Sequence, residues 1–220
     1  GFNPDSDLSD IERVKETTDY AKCQGADLTY TGTNRSYWWL RTPGLYGAKN
    51  FATSPNGRIS STNSGTYDVN FTDMGVVPAF KFNPKTPALA KNSKIEFGSY
   101  PQSEVTDADE IAKLETASES YLWVSYKYYS GTGDSTDGEM EPGDFMLYKD
   151  FYSDGEMFRA VTFSDWRPTT GGGLKEKLHS FQDENGYYPN KVYYFKYEPL
   201  TWRVLDPDEG YVMCENVIDS

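Results

Sequence analysis

The chain has 220 residues and a formal net charge of −13, and its apolar residue types reach only 37%. Nucleic-acid phosphates would repel so acidic a chain, which excludes nucleic acid as a partner. No apolar run approaches the roughly 18 residues that a membrane-spanning helix needs, so the sequence predicts no membrane insertion. Aromatic residues make up 16% and include 18 tyrosines, a composition that suits β-rich layers with an amphipathic contact surface.

The first predicted element is a helix near the N-terminus. Ser9-Asp10-Ile11-Glu12 has the pattern of a capping box, and apolar residues follow it at helical spacing. Gly25 is the expected stop, which gives a helix of about fifteen residues. A second helix is predicted to begin at Thr106, with Ile111 and Leu114 on its apolar face.

A strand is predicted where two tryptophans follow each other, at residues 37–41, and a Pro-Gly pair ends it. Successive side chains of a strand point to opposite faces. One face therefore holds Trp38 and Leu40, and the other holds Trp39 and Arg41. We expect both tryptophans in the core, and the alternative is an exposed stacking pair of Trp39 with Arg41.

Further strands are predicted from short apolar runs and turn residues. The run Gly75 to Phe80 contains Pro78, which indicates a sheet edge. Asp154-Gly155 is a strong hairpin signal. The remaining predicted strands are Phe145–Tyr152, Met157–Phe163, Lys191–Tyr197, Thr201–Leu205 (the last two separated by Pro199) and Tyr211–Val217. Two helices with about ten short, mixed or antiparallel strands predict an α+β fold.

Two blocks carry a resemblance to a known family. They read W-W-L-R-T-P-G at 38–44 and G-V-V-P-A-F at 75–80, and T-D-Y-A precedes them at 18–21. They resemble the W-W-L-R-S-P-G and G-V-R-P-A-L hallmark of an uncharacterised domain family of cell-surface proteins in gut-dwelling Gram-positive bacteria. Thr42 and Val77 depart from the usual Ser and Arg, and Val77 removes any role of that arginine. The family is similar to the C-type-lectin-like group, which includes the formylglycine-generating enzyme, so the resemblance implies a C-type-lectin-like fold and an extracellular or cell-surface location.

The resemblance also implies an unusual order of parts. Blocks at 95–102 and 198–205 resemble those that open the family domain, whereas the tryptophan strand resembles its end. Residues 1–82 therefore resemble a back half and residues 95–220 a front half, joined by a Pro/Ala/Lys/Asn linker at 83–94. The chain is predicted to be a permuted or partial arrangement whose two halves share one core. Either a monomer or a strand-exchanged dimer would satisfy that expectation.

The sequence offers little for catalysis. Its one histidine, His179, cannot build a histidine-based zinc site or a two-histidine relay. The 34 acidic residues could supply the pair that a glycosidase needs, but no local motif selects a pair. The acidic run from Asp134 to Asp144 misses the spacing of a calcium loop, so a solvated turn is expected there and a Ca²⁺ site is the alternative. Cys23 and Cys214 are predicted to be buried free thiols, and we expect no catalytic residue, metal or cofactor.

The segment between the two hallmark blocks is the candidate contact surface. Tyr, Ser, Gly and Asn, which binding loops use, are common in it, and the resemblance places a ligand site in the same region. The candidate ligand-binding residues are Trp39, Arg41, Tyr46, Asn50, Asn56, Arg58, Asn63, Tyr67 and Asn70. We predict a non-enzymatic extracellular recognition or adhesion module whose ligand is a glycan or a protein. The alternatives are a secreted glycoside hydrolase using an Asp/Glu pair and a purely structural stalk repeat.

Overall fold

The structure is a computed structural model, and it describes residues 11–28, 33–43, 49–59, 67–68, 74–82, 89–125, 146–164, 166 and 181–220. For residues 41–43, 49–50 and 67–68 it describes the backbone only. The described residues form an α+β fold with mostly antiparallel sheets, which confirms the predicted class. The helices are α1 (Asp19–Gln24), α2 (Ala108–Ser118) and α3 (Phe181–Glu184). The strands are β1 (Glu16–Thr17), β2 (Trp38–Pro43), β3 (Lys49–Thr53), β4 (Tyr67–Asp68), β5 (Ala79–Lys81), β6 (Lys94–Glu104), β7 (Val124–Ser125), β8 (Met146–Ser153), β9 (Glu156–Phe163), β10 (Tyr193–Asp206), β11 (Tyr211–Cys214) and β12 (Asn216–Val217).

Strand β10 organises the main sheet, in which β5, β11, β10, β9, β8 and β7 follow one another and β6 also pairs with β10. Phe195 is paired with both β9 and β6, and Trp202 with both β11 and β6. Strands β9 and β11 therefore share one edge of β10, while β6 occupies the other. The sequence predicted a break at Pro199, and this was wrong because β10 runs through it. A register shift against β6 lies between Pro199 and Thr201, and such irregularities are where a strand tolerates proline.

The β8–β9 hairpin has the predicted turn. Asp154 and Gly155 have φ values of 50° and 83°, and Ser153 pairs with Glu156 across them. Two consecutive left-handed residues match the right-handed twist of the flanking strands, which explains the Asp-Gly pair.

The first helix is much shorter than predicted. Residues 11–13 form a turn, and β1 pairs in parallel with β12 where the helix was expected to continue. The N-cap is Thr18, whose side chain accepts from the Ala21 N–H, so the proposed start at Ser9 was wrong. The physical reason is that the backbone of Thr17 and Thr18 is taken up by bonds to Asn34 and Val217. Gly25 ends the helix with φ 104°, as predicted.

Helix α2 agrees closely with the sequence, whereas α3 was not predicted. Asp107 caps α2 by accepting from the Glu110 N–H at 2.9 Å, and Leu114 is buried. The start is one residue later than expected. Four-residue α3 is too short to leave a periodic pattern in the sequence.

The tryptophan strand packs directly on the main sheet. Trp38 and Leu40 are buried and lie in one apolar cluster with Leu205, Met213 and Val217. The Trp38 Nε1 also donates to the Arg13 carbonyl at 3.1 Å. Strand β5 joins β11 as the outermost strand on that side of the described sheet, which agrees with the edge predicted from Pro78. Trp39 is half-buried, so the expectation that both tryptophans lie in the core holds fully for Trp38 only.

A buried arginine in the β8–β9 hairpin forms a hydrogen bond to a residue of α1. Arg159 donates two hydrogen bonds of 2.7 Å to Asp150 and one of 2.9 Å to the Tyr20 hydroxyl. Its guanidinium also lies 4.4 Å from the centre of the Tyr148 ring. Although burial disfavours the charge, the hydrogen bonds that Arg159 donates to Asp150 and Tyr20 raise the pKa of Arg159. The guanidinium therefore stays charged and fixes the position of α1.

Both cysteines are free and buried, as predicted. Burial raises the pKa of the Cys23 thiol, and nearby Glu104 adds to that effect. Burial likewise raises the pKa of Cys214. A protonated, enclosed thiol is a poor nucleophile, so these two residues act as core side chains.

Candidate functional site

The candidate ligand residues predicted from sequence are only partly within the described structure. Tyr46, Asn63 and Asn70 lie outside the described residues, and so do the side chains of Arg41, Asn50 and Tyr67. The register of β3 and β4 pairs Asn50 with Tyr67, so those two positions are adjacent. The described side chains are those of Trp39, Asn56 and Arg58.

Asn56 lies in the turn after β3, and its side chain has a structural role there. Its Oδ1 accepts from the Ser54 hydroxyl at 2.5 Å and from the Arg58 N–H at 3.4 Å. The amide oxygen of Asn56 is therefore used to close its own turn, as asparagine does in many turns. The Arg58 side chain is exposed beside it.

Two other predicted features cannot be placed. His179 and the acidic run from Asp134 to Asp144 lie outside the described residues. Among the residues that are described, no group of three or more His, Cys, Asp or Glu side chains is arranged to hold a metal ion.

A polar groove of about 450 Å³ lies where the start of α1 meets the middle of β6 and β10. Residues of both predicted halves form it, since 16–19 and 34 come from the first and the remainder from the second. The described lining residues are Glu16, Thr17, Thr18, Asp19, Asn34, Glu96, Gln102, Ser103, Glu198, Pro199 and Asn216. None of the nine candidate ligand residues is among them.

Backbone pairing explains why these residues converge. Strand β1 pairs with β12, which sets Glu16 beside Asn216. Strand β6 pairs with β10, which sets Tyr100 beside Glu198 and Ser99 beside Pro199. The Thr17 N–H donates to the Asn34 carbonyl at 2.9 Å, and the Asn34 side-chain nitrogen donates to the Thr17 carbonyl at 3.1 Å. The groove is thus framed by backbone hydrogen bonds.

Three of the carboxylates that line the groove accept hydrogen bonds from described residues. Asp19 accepts from Lys22 at 2.7 Å and, through its other oxygen, from the Glu104 N–H at 3.1 Å. Glu16 accepts from Arg35 at 3.0 Å. One oxygen of Glu198 accepts from both the N–H and the hydroxyl of Ser103, at 3.1 and 2.7 Å.

A further carboxyl residue, Glu104, lies next to Asp19 of the groove. Tyr187 is buried, and its hydroxyl lies 3.0 Å from Glu104 Oε2 and 3.1 Å from the Asp19 carbonyl. Burial raises the pKa of Glu104; the hydrogen bond from Tyr187 opposes this, and the Asp19 charge adds to it. Glu104 therefore holds its proton at higher pH than an exposed glutamate does.

A compact ion cluster supports the other side of β12. Glu215 accepts from Arg203 through both oxygens, at 2.6 and 2.9 Å, and from Lys94 at 2.9 Å. The buried Lys15 lies 3.6 Å away. Burial of Glu215 opposes ionisation, but the bonds from Arg203 and Lys94 prevail and lower the pKa of Glu215 to about 2. Burial lowers the pKa of Lys15.

Sequence analysis did not find the groove. Its residues come from six separated stretches, and each lies in a strand, a bend, or the cap or first turn of a helix in its local context. Gln102 stands out only in the structure, as a polar side chain that is buried within a long strand, and such burial usually marks a specific hydrogen-bonding role.

In comparisons with protein families, curated proteins and solved structures, nothing matches this chain. Among the described residues, no helix is long and apolar enough to cross a membrane.

Proposed function

We propose that this chain is a non-enzymatic recognition module of an extracellular or cell-surface protein, and that the polar groove is its contact surface. What supports the proposal is the groove itself, an open volume of about 450 Å³ lined by hydroxyl, amide and carboxylate groups. Pockets of this size accept small ligands or single side chains of a larger partner. The C-type-lectin-like fold and the family resemblance belong to the same proposal, and rest on the sequence blocks at 38–44 and 75–80.

A binding role also fits the rigid frame around the groove. The wall residues are held by strand pairing between β6 and β10 and between β1 and β12. Arg159 also fixes the position of α1 through its hydrogen bond to the Tyr20 hydroxyl. A preformed site loses little conformational entropy when it binds, so the groove suits recognition without rearrangement.

The test of this proposal is a paired glycan and peptide array, probed with the wild-type chain and with Ser103→Trp. Ser103 is exposed in the groove wall, so the indole fills the groove without entering the core. Thr116→Trp is the matched control, since Thr116 is exposed on α2 outside the groove. We expect array signals that Ser103→Trp abolishes and Thr116→Trp retains. Signals that are indifferent to Ser103→Trp, or no signals at all, would overturn the proposal and leave the stalk repeat.

The rival function is a hydrolase, and one observation favours it. Glu104 has a raised pKa and lies next to Asp19, and a carboxyl group with a raised pKa often marks an acid–base catalyst. Glu104 is, however, bonded to the buried Tyr187 hydroxyl and is not one of the described lining residues. We expect no turnover of a chromogenic glycoside panel. Turnover that Glu104→Gln abolishes would establish the hydrolase instead.

A further inference from the structure

Gln102 presents a fixed acceptor to the groove. The side chain is only 9% exposed, and its Nε2 donates to the carbonyls of Glu198 and Pro199 at 3.0 and 3.1 Å. Two carbonyl partners can be met only by the amide nitrogen, which fixes the orientation of the amide. The Oε1 is therefore the atom of this amide that is left to accept, on a side chain that lines the groove. It has no hydrogen-bond partner among the described residues.

The neighbouring side chains leave acceptors in the same way. The Asn34 nitrogen is used by the Thr17 carbonyl, which leaves the Asn34 oxygen. The Ser103 hydroxyl is used by one oxygen of Glu198, which leaves the other oxygen of that carboxylate. Several hydrogen-bond donors of the groove are therefore already used by backbone carbonyls or by the Glu198 carboxylate, and acceptor oxygens remain.

Charge in the groove points the same way. Glu16 and Asp19 have cationic partners, Arg35 and Lys22. Glu96 and Glu198 have no salt bridge among the described residues. No lysine, arginine or aromatic side chain is among the described lining residues. These residues would therefore repel an anionic ligand, and among them a sugar ring would find no aromatic side chain on which to stack.

We propose that the groove binds the guanidinium or ammonium group of an arginine or lysine side chain carried by a protein partner. This inference rests on the proposed recognition function and assigns the class of ligand. Such a group brings several N–H donors and one positive charge, which complement the free oxygens of Gln102, Glu198 and Glu96. The net charge of −13 attracts a basic partner from a distance.

The probes are acetylated, amidated glycine pentapeptides with one central arginine, lysine, citrulline or glutamate, titrated calorimetrically at low ionic strength. Citrulline keeps the shape of arginine but lacks its charge. We expect the arginine and lysine peptides to bind, the citrulline peptide to bind at least about tenfold more weakly, and the glutamate peptide not at all. Added salt should weaken the binding of the charged peptides.

Two variants tie the binding to the groove. Glu198→Gln and Glu96→Gln each remove one charge from the wall, and each should raise the Kd of the arginine peptide about fivefold or more. Glu96 has no ion pair among the described residues, so its replacement leaves the fold intact. Glu115→Gln, on the exposed face of α2, is the matched control and should leave the Kd unchanged.

Each contrary result has its own meaning. Equal binding of the citrulline and arginine peptides, lost in Ser103→Trp, would overturn the cationic class and leave the recognition function standing. Free spermidine is titrated in the same way as a basic small molecule, and its binding with none of the peptides would overturn the protein partner. No groove-dependent binding of any peptide or of spermidine would overturn the inference, and the arrays would then decide the recognition function separately.

Discussion

Two carboxyl groups near the groove have pKa values displaced in opposite directions, and the displacements have opposite effects on stability. Glu215 has a pKa of about 2 in the folded chain, below its value of 4.5 in an unfolded chain. Glu104 has a folded pKa raised above 4.5. Any such difference makes the free energy of unfolding depend on pH.

Glu215 should support the fold at neutral pH and lose that effect in acid. Because its folded pKa is lowered, its contribution is complete above pH 4.5 and is lost as the pH falls toward about 2. Glu215→Gln leaves Arg203 and the buried Lys15 without their carboxylate, so the free energy of unfolding at pH 7 should fall by about 3 kcal/mol. Urea denaturation at pH 7 and at pH 2 measures this. A difference that persists undiminished at pH 2 would contradict the assignment, and Glu209→Gln in the exposed pair with Lys81 should change little.

Glu104 should do the reverse. Its folded pKa is raised, so its contribution is most favourable below the unfolded pKa and is lost as the pH rises through the folded pKa. Glu104→Gln keeps an oxygen for the Tyr187 hydroxyl and removes the buried charge. We therefore expect the variant to melt higher than the wild type at pH 7.5 and at nearly the same temperature at pH 4. A lower melting temperature at pH 7.5 would show that the carboxylate is needed there.

At the scale of elements, Gly75 lies between the tryptophan strand and Val217 of β12 in a space that has no room for a side chain. The Gly75 N–H donates to the Tyr37 carbonyl at 2.7 Å, and the Gly75 carbonyl accepts from the Trp39 N–H at 3.1 Å. A Cβ placed on Gly75 would overlap Val217 Cγ1 and would lie 3.0 Å from the Tyr37 carbonyl oxygen. The backbones approach so closely here because residue 75 has no side chain.

Gly75→Ala should therefore lower the free energy of unfolding by about 2 kcal/mol. Val217→Ala should also destabilise the chain, by a similar amount, because Val217 is fully buried. The double variant should cost less than the sum of the two, since removing the Val217 methyls makes room for the new Cβ. Chemical denaturation of the wild type and the three variants measures the free energies of unfolding for this double-mutant cycle. Strict additivity would mean that the two residues are not in contact.

The elements show why some of the fold could be predicted from sequence and some could not. The β8–β9 hairpin and α2 were predicted well because Asp154-Gly155 and the Asp107 cap act on their immediate neighbours. The helix proposed from Ser9 failed because β12, about two hundred residues away in the chain, takes up the backbone of β1. The break predicted at Pro199 was wrong for the same reason. Whether a proline interrupts a strand depends on its pairing, here with the distant strand β6. The groove depends on pairings of the same long-range kind, between β1 and β12 and between β6 and β10, so no local pattern predicted it.

At the scale of the whole molecule, the tryptophan strand and the main sheet are packed together. Trp38 shares a cluster with Leu205, Met213 and Val217, and β5 hydrogen bonds to β11. Phe80, next to the linker, packs at 4.7 Å between ring centres against Trp202. Residues before and after the linker therefore contribute to shared apolar clusters.

A protease site placed within residues 83–88 tests how firmly the two parts are held. After cleavage we expect both pieces to elute together at the size of the uncut chain and to keep its circular dichroism spectrum, because the clusters remain intact. Met213→Asp, which puts a charge into the buried cluster, should let the cut pieces separate. Separation of the wild-type pieces would show that the covalent linker is needed to hold them.

The parallel pairing of β1 with β12 has a mechanical consequence. Force applied through the residues before Glu16 and after Val217 pulls the two strands in opposite directions along their length, because they run the same way. The hydrogen bonds of the pair, and the flanking bonds from Thr18 to Val217 and from Ile218 to Val76, are then loaded together in shear instead of opening one at a time. The pair closes the chain, so the β6–β10 wall of the groove lies outside the part of the chain that carries the tension until these bonds break.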